Sequence, residues 1–411
     1  MTSTTIGKAR SRSDRARPRP AILALLDRPL ASYYIVIGTA GMLLALGLIM
    51  VLSASSVTSY ADSGSSFTIV ERQAMWVAIG LPAFWLGMRL PVRAYRLLGY
   101  PLLLVSLAGL VLVLVPGIGV NVSGATRWID LPGGLQIQPS EPAKLALVLW
   151  GADLLARKEK RLGQTRHLLL PLVPVAVVMA LLVMLQPDMG TTIVLIVVLL
   201  ALLFTAGAPL TAFGGLGLGL GGVLGLLAVT EPYRLQRLTG FRNPCGQNAL
   251  SIGYQACQGL YALSSGGWFG LGLGASREKF GYLPNQYTDY IFAIIGEELG
   301  LLGTLLVLGL FALLGYAGIR IAQRCQDRFS QLAAAGVTAW LLGQALVNMG
   351  AVVGLLPITG IPLPLVSFGG SALVPTLFAI GMLVSFARRE PGAARALAAR
   401  KAGRTRRFLG R

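Results

Sequence analysis

The residues of this chain that could do chemistry are few, and most stand at the mouths of long apolar runs. Asp289 follows Thr288 at the start of such a run, with Arg277 and Lys279 shortly before it. A carboxylate in that place either caps the helix and complements its dipole, or is a rim acid held beside cations. Glu297 and Glu298 follow eight and nine residues later, about 12 Å deeper at 1.5 Å per helical residue. Two adjacent acids inside an apolar run are costly unless they are paired or face a wet cavity, where they could also hold a proton or an ion. Lys144, in the first full turn of another run, is either a snorkelling lysine or a cation placed for a phosphate. Glu141 lies on the same helical face as Lys144, and Arg127 and Trp128 precede both. Gln344 and Asn348, at helical spacing, line the same cavity or bond helix to helix.

What must position these groups is a membrane bundle. With 55% hydrophobic and 12% charged residues among 411 and a mean hydropathy of +0.70, the chain is too apolar for a soluble domain. Ten runs approach the 20 or so apolar residues that a spanning helix needs: 33–53, 69–89, 97–116, 141–156, 168–186, 190–207, 211–230, 289–318, 331–353 and 371–387. An even number of spans puts both termini on one side. The net charge of +19 would fit nucleic acid, but its distribution argues against that partner. Only Arg72, Arg127, Lys144, Arg234, Arg237, Arg242, Arg277 and Lys279 lie outside or at outer helix ends. The other Lys and Arg residues fall in the tails and the loops on the tails' side, as the positive-inside rule expects for cytoplasmic tails. Segment 1–30 is expected to be a basic tail, disordered or lying on anionic lipid, 31–388 the ten-helix domain, and 389–411 a second basic tail. The first run is preceded by a long Arg-rich tail and has no small-residue cleavage site, so it reads as a retained membrane anchor rather than a signal peptide.

Two outer segments, about 117–140 and 231–288, are too long to be plain connectors, so chemistry is expected there. Within Gln138–Lys144, Ser140 is expected to cap a helix, with Pro142 tolerated in its first turn. The glycine run 214–222 contains GxG spacings but has no strand before it, so it reads as a close helix-packing face. A single His and three Cys exclude a multi-ligand His/Cys metal site. Cys245 and Cys257 share the outer segment, and Cys325 lies on the cytoplasmic side. The outer two either form a bridge, which would close a loop of about a dozen residues, or remain unpaired small residues; geometry decides.

Several segments together resemble the SEDS family of FtsW and RodA. They are Arg127-Trp128-Ile129 with Gln138-Pro139-Ser140-Glu141; Gln186-Pro187-Asp188-Met189-Gly190-Thr191; Gly253-Tyr254-Gln255; and Gly266-Gly267-Trp268-Phe269-Gly270. After them come Tyr282-Leu283-Pro284 with Thr288-Asp289; Gly296-Glu297-Glu298-Leu299-Gly300; and Thr359-Gly360-Ile361-Pro362-Leu363-Pro364 with Ser367-Phe368-Gly369-Gly370-Ser371. The pieces run in family order over about 33–387, and the Ser276–Leu283 segment is nearer the division-type FtsW pattern than the RodA pattern.

The resemblance implies a ten-span all-α glycosyltransferase that joins lipid II units into a β-1,4 glycan on the outer face of the cell membrane, enriched at the division septum. It implies Asp289 as the catalytic base. Arg127, Glu141, Lys144, Lys279, Glu297, Glu298, Gln344, Asn348 and Ser367 are the candidate substrate-binding positions. Arg127, Lys144 and Lys279 would stabilise the departing diphosphate, alone or with Mg or Mn; no tightly bound cofactor is expected. The implied partners are a class B penicillin-binding protein transpeptidase and other division proteins. Two departures stand out: Asn285 and Tyr287 replace the family's usual acid and His, and Phe241-Arg242-Asn243-Pro244-Cys245 lacks the Asp and Trp often found there. A flippase for lipid-linked precursor, with Glu297 and Glu298 as its ion site, is the rival from another class.

Overall fold

The computed structural model describes residues 28–122, 125–132, 135–161, 164–230, 244–246, 253–393 and 395–396. Most of both basic tails, Arg234, Arg237 and the segment 241–243 lie outside the described residues. The helices are α1 (Ala31–Ser63), α2 (Thr68–Arg89), α3 (Val92–Val113), α4 (Ser140–Arg157), the short α5 (Thr165–Leu169), α6 (Leu172–Leu185), α7 (Met189–Ala206), α8 (Leu210–Thr230), α9 (Tyr254–Ser265), α10 (Ile291–Arg324), α11 (Arg328–Val352) and α12 (Leu373–Ala387). A helix therefore stands at each of the ten expected runs, and seven are long and apolar enough to cross a membrane. Those that fall short include α4, which carries Glu141, Lys144, Asp153 and Arg157, and α2, with Glu71, Arg72 and Arg89. The charges of α4 are sheltered by protein, since that helix is buried along most of its length, whereas α2 keeps most of its surface exposed.

The core is built around α11 and α12. Trp340, Phe329 and Phe386 are fully enclosed, and Tyr95 of α3 sits edge-on to Phe378 and Phe386 at 6.2 and 5.6 Å between ring centroids. Helices α2 and α12 approach closely because Gly87 and Gly381 each leave room for the other helix's backbone. At one end of the bundle Pro29 meets Gly392, so the two termini enter and leave the fold side by side. The opposite end carries the two long loop regions and is called the site end below.

Both long segments hold structure that the hydrophobic pattern did not reveal. The first contains an antiparallel sheet ordered β1 (Gly119–Val122), β2 (Ala125–Leu131), β3 (Leu135–Ile137). The second contains α9, anchored at its start by a Cys245–Cys257 disulfide with a Cα–Cα distance of 5.0 Å.

Three local expectations need correction. Ser140 does not cap α4: Pro139 holds that position with no side-chain bond, and the Ser140 hydroxyl is buried without a partner. Asp289 does not cap α10 either, because the turn places Tyr290 there. The glycine face of α8 is not a packing face within the described residues: a Cβ built on Gly214, Gly215, Gly217, Gly219 or Gly222 meets nothing within 4 Å.

The most consequential departure is inside α10. Gly300 has φ 67° and ψ −162°, which divides the helix into a short site-end segment and a long one. The backbone groups freed by this break are satisfied by the turn after α9: Leu271 and Gly272 donate to the carbonyls of Glu297 and Glu298, and Leu301 donates to Gly267 O. Only glycine fits, since a Cβ on Gly266, Gly270 or Gly300 would strike backbone atoms of the other segment.

Candidate active site

Asp289 is aimed by a turn centred on Asn285. Asn285 has φ 55°, a left-handed conformation that asparagine tolerates better than most residues. Its carbonyl accepts bonds from Thr288 N, Thr288 Oγ1 and Tyr290 N, each at 3.1 Å. The turn is held on both sides. Buried Gln286 reaches Ala54 O, Thr58 Oγ1 and Lys279 O at 3.1, 2.9 and 3.0 Å, while the Tyr287 carbonyl accepts from Phe368 N and its ring lies edge-on to Phe368 at 5.8 Å. The two positions where the chain departs from the family pattern thus hold the turn. Asp289, next along, is half-buried at the helix mouth.

The facing wall comes from three distant segments. Arg127 lies on β2 opposite a register shift: Thr126 pairs with Asn121 and Trp128 with Val120, so Arg127 is the extra residue of a bulge, which re-aims its side chain. Its Nη2 donates to Pro187 O at 3.0 Å and its Nη1 lies 3.9 Å from Asp188 Oδ1. Gly360, with φ 68°, completes the wall; a Cβ there would sit 3.6 Å from Asp289 Oδ2 and 3.7 Å from Arg127 Nη1. The acid and the guanidinium thus converge on one face of Gly360. That face stays open because the residue has no side chain.

The Gly360 segment runs as extended backbone through the bundle, and the polar residues of α11 hold it there. Asn348 Nδ2 donates to Asp289 O at 2.7 Å and Ile361 O at 2.8 Å, and Gln344 Nε2 donates to Pro362 O at 2.9 Å. Gln344 Oε1 in turn accepts from Lys144 Nζ at 2.8 Å and Trp340 Nε1 at 2.9 Å. Lys144 is fully buried, bonds Glu141 Oε1 at 2.9 Å and lies 5.4 Å from the centre of the Trp340 ring. Ser367 belongs to the same scaffold: its Oγ accepts from Leu363 N and its carbonyl from Gln73.

The acid pair of α10 has a different task. Glu297 accepts from Ser276 Oγ and Arg277 N at 2.5 and 2.9 Å. Glu298 accepts from Ser53 Oγ at 2.7 Å and pairs with Lys279 Nζ at 3.7 Å. Lys279 also donates to Gly274 O. Both glutamates are buried and latch the 276–279 loop onto the helix rather than line a wet cavity. Beside them, burial and then the charge of Glu297 push the Glu278 carboxyl above its ordinary range, and its Oε2 is buried without a hydrogen-bond partner.

Of the residues singled out from sequence, the structure brings Asp289, Arg127 and Asn348 together. It encloses Lys144, Glu141 and Gln344 behind them, and commits Lys279, Glu297 and Glu298 to the loop. It adds Asp188 and Gly360, for which the resemblance gave a motif but no role. Among the described residues no group of three or more His, Cys, Asp or Glu side chains is arranged to hold a metal ion.

A chain this apolar, with its polar groups enclosed or gathered at one end, is a multi-pass membrane protein, and a proton acceptor facing a guanidinium is what a group-transfer enzyme needs. Comparison with known proteins narrows that class. The chain belongs to the FtsW/RodA/SpoVE cell cycle protein family, whose model matches residues 33–391. A Mycobacterium tuberculosis protein named "Probable peptidoglycan glycosyltransferase FtsW" is 45% identical over 394 residues, covering 96% of this chain and 75% of that protein. Stage V sporulation protein E of Bacillus subtilis is 41% identical over 348 residues, 84% of this chain and 94% of its own. Among solved structures, a chain described under "Structural coordination of polymerization and crosslinking by a peptidoglycan synthase complex" superposes with a TM-score of 0.69 at 28% identity, over 87% of this chain and 97% of that one. The rod shape determining protein RodA of Thermus thermophilus gives 0.62 at 28% identity over the same shares.

Proposed function

We propose that this protein is a peptidoglycan glycosyltransferase that polymerises lipid II into β-1,4 glycan on the outer face of the plasma membrane, with both tails cytoplasmic and the protein enriched at the division septum. The observation that carries the reading is the convergence of Asp289 Oδ2 and Arg127 Nη1 on the open face of Gly360. Asp289 takes the proton from the acceptor sugar's C4 hydroxyl as that oxygen forms its bond to the donor's C1. The bond from C1 to the diphosphate oxygen breaks, and the leaving diphosphate carries its electron pair away as negative charge. Arg127 stabilises that charge through its Nη1, which faces the open side of Gly360. Membrane anchoring of both substrates replaces a diffusive encounter in three dimensions.

The same reading places a partner. An apolar groove of about 650 Å³ lies between α9, α10 and α11, lined by Gly296, Gly300, Thr304, Leu305, Met349 and Gly350 among others. Small residues let another helix come close, and a single membrane helix of a class B penicillin-binding protein is the occupant that suits it. The flippase alternative needs Glu297 and Glu298 free to bind an ion, whereas both are committed to the 276–279 loop. The test is incubation of purified protein with lipid II, with and without the transpeptidase, followed by glycan chain-length analysis. Polymer that disappears with Asp289→Asn supports the reading, and absence of polymer under both conditions overturns it.

A further inference from the structure

Asp188 is an aspartate with more charge than its visible task requires. It caps α7, accepting from Thr191 N at 3.0 Å and from Thr191 Oγ1 at 2.9 Å, and its Oδ2 also accepts from Gln138 Nε2 at 3.0 Å. Its side chain is only 1% exposed. Serine, threonine or asparagine caps a helix about as well as aspartate does, and none of them puts a full negative charge in the interior, where an unpaired ion is costly. Among the described residues the one ion-pair partner of Asp188 is Arg127, at 3.9 Å, and the preceding carbonyl, Pro187 O, fixes a second guanidinium nitrogen.

We infer that Asp188 is a positioning residue: with Pro187 O it sets the direction and charge balance of the Arg127 guanidinium, so that the face turned toward Gly360 is ready for the substrate's diphosphate. Arg127 needs such a guide because it projects from a bulge, where the strand ladder does not fix the side chain. The start of α7 is suited to the task. Gly190 packs against Thr359 and Ile361, with Thr359 O only 2.7 Å from where a Cβ would lie. The anchor of Arg127 and the wall opposite Asp289 are therefore one packed unit, and Asp188 holds the cation in register with it. Asp188 is itself buried, so it acts through Arg127 and not on the substrate.

The inference rests on the polymerase reading, and the experiment separates the two. The full-length protein, with its transpeptidase partner if polymerisation requires one, is assayed with lipid II as wild type, Asp188→Asn, Asp188→Ser, Arg127→Ala and Arg127→Ala combined with each Asp188 change. Both Asp188 substitutions keep a capping oxygen, so either one suffices if the other folds poorly. Thr191→Val, which removes a cap bond and leaves the charge, is the control for helix stability. The expected result is a fall of about tenfold or more in kcat for the Asp188 variants with little change in KM, near-normal rates for Thr191→Val, and no further loss from Asp188 changes when Arg127 is already alanine, because residues that act through one another are not additive. Multiplicative losses, or wild-type kcat in the folded Asp188 variants, overturn the inference. Full activity of Arg127→Ala overturns the assignment of Arg127 itself.

Discussion

Asn348 and the backbone of Asp289 are joined by a hydrogen bond of 2.7 Å, and the same amide group reaches Ile361 O at 2.8 Å. One side chain of α11 thus spans the two segments that form opposite walls of the site. Asn348→Ala leaves two buried carbonyls without this donor, a loss of about 1–3 kcal/mol, and frees the walls to separate. Polymerisation is expected to fall by about tenfold or more, measured as glycan formed per minute from lipid II, with Asn348→Gln intermediate. Unchanged turnover for Asn348→Ala would show that the tie does not matter.

Asp289→Asn and Asp289→Ala are expected to abolish polymerisation while the protein still inserts and elutes as a single folded species in detergent. The half-buried carboxylate is outside the helix cap, which belongs to Tyr290, so its loss removes a base without unravelling α10. A well-folded Asn variant that makes glycan at the wild-type rate would remove the general base from this position.

Lys144→Ala is expected to act chiefly on stability. The ammonium is enclosed, bonded to Glu141 and Gln344, and its removal leaves the Glu141 charge buried, a loss of about 3–5 kcal/mol for broken pairs of this kind. Replacing both members, Lys144→Met with Glu141→Gln, is expected to recover most of the thermal stability. If Lys144→Ala instead keeps its melting temperature and loses only activity, the lysine contacts substrate after all.

The thiol inventory follows from the disulfide. Protein denatured without reductant is expected to show one reactive thiol, Cys325, because Cys245 and Cys257 are bridged. In the native state even that thiol should react slowly near neutral pH: burial, followed by the charges of Glu390 and Asp327, pushes it up to about 12. Three thiols after denaturation would remove the bridge.

Glu278 gives a pH dependence with a defined sign. Its folded-state carboxyl is raised above the ordinary 4.5, by burial first and Glu297 second. A raised carboxyl favours the protonated folded form, so its contribution is fully present below the unfolded value and is lost as pH rises through the folded one. Glu278→Gln is therefore expected to raise the melting temperature at neutral pH and to leave it nearly unchanged in acid. A melting curve whose pH dependence is identical in the two proteins would exclude this role.

The helices were legible because apolar length is a one-dimensional property, and Asp289 stood out because an acid at the mouth of such a run is rare. What could not be read depended on partners far away in sequence. Glu297 and Glu298 looked like an ion site until Ser53, Ser276 and Lys279 were found beside them, and Lys144 looked available until Gln344 closed over it. Asp289 could be taken for a cap because nothing in the sequence announced that Asn285 would turn left-handed and pass that position to Tyr290. The bulge that aims Arg127 arises from a mismatch of one residue between paired strands, which no single segment records.

The break at Gly300 has a consequence for inheritance. Where Gly266, Gly270 and Gly300 meet, main chain lies directly on main chain, and each added Cβ would collide with a carbonyl or an amide that cannot swing away. A saturation library scored for cell survival should therefore show three silent-only codons on either side of Asp289, tolerant of no amino-acid replacement although none of the three carries a functional group. Alanine, the mildest change elsewhere in a helix, would be as lethal there as any other.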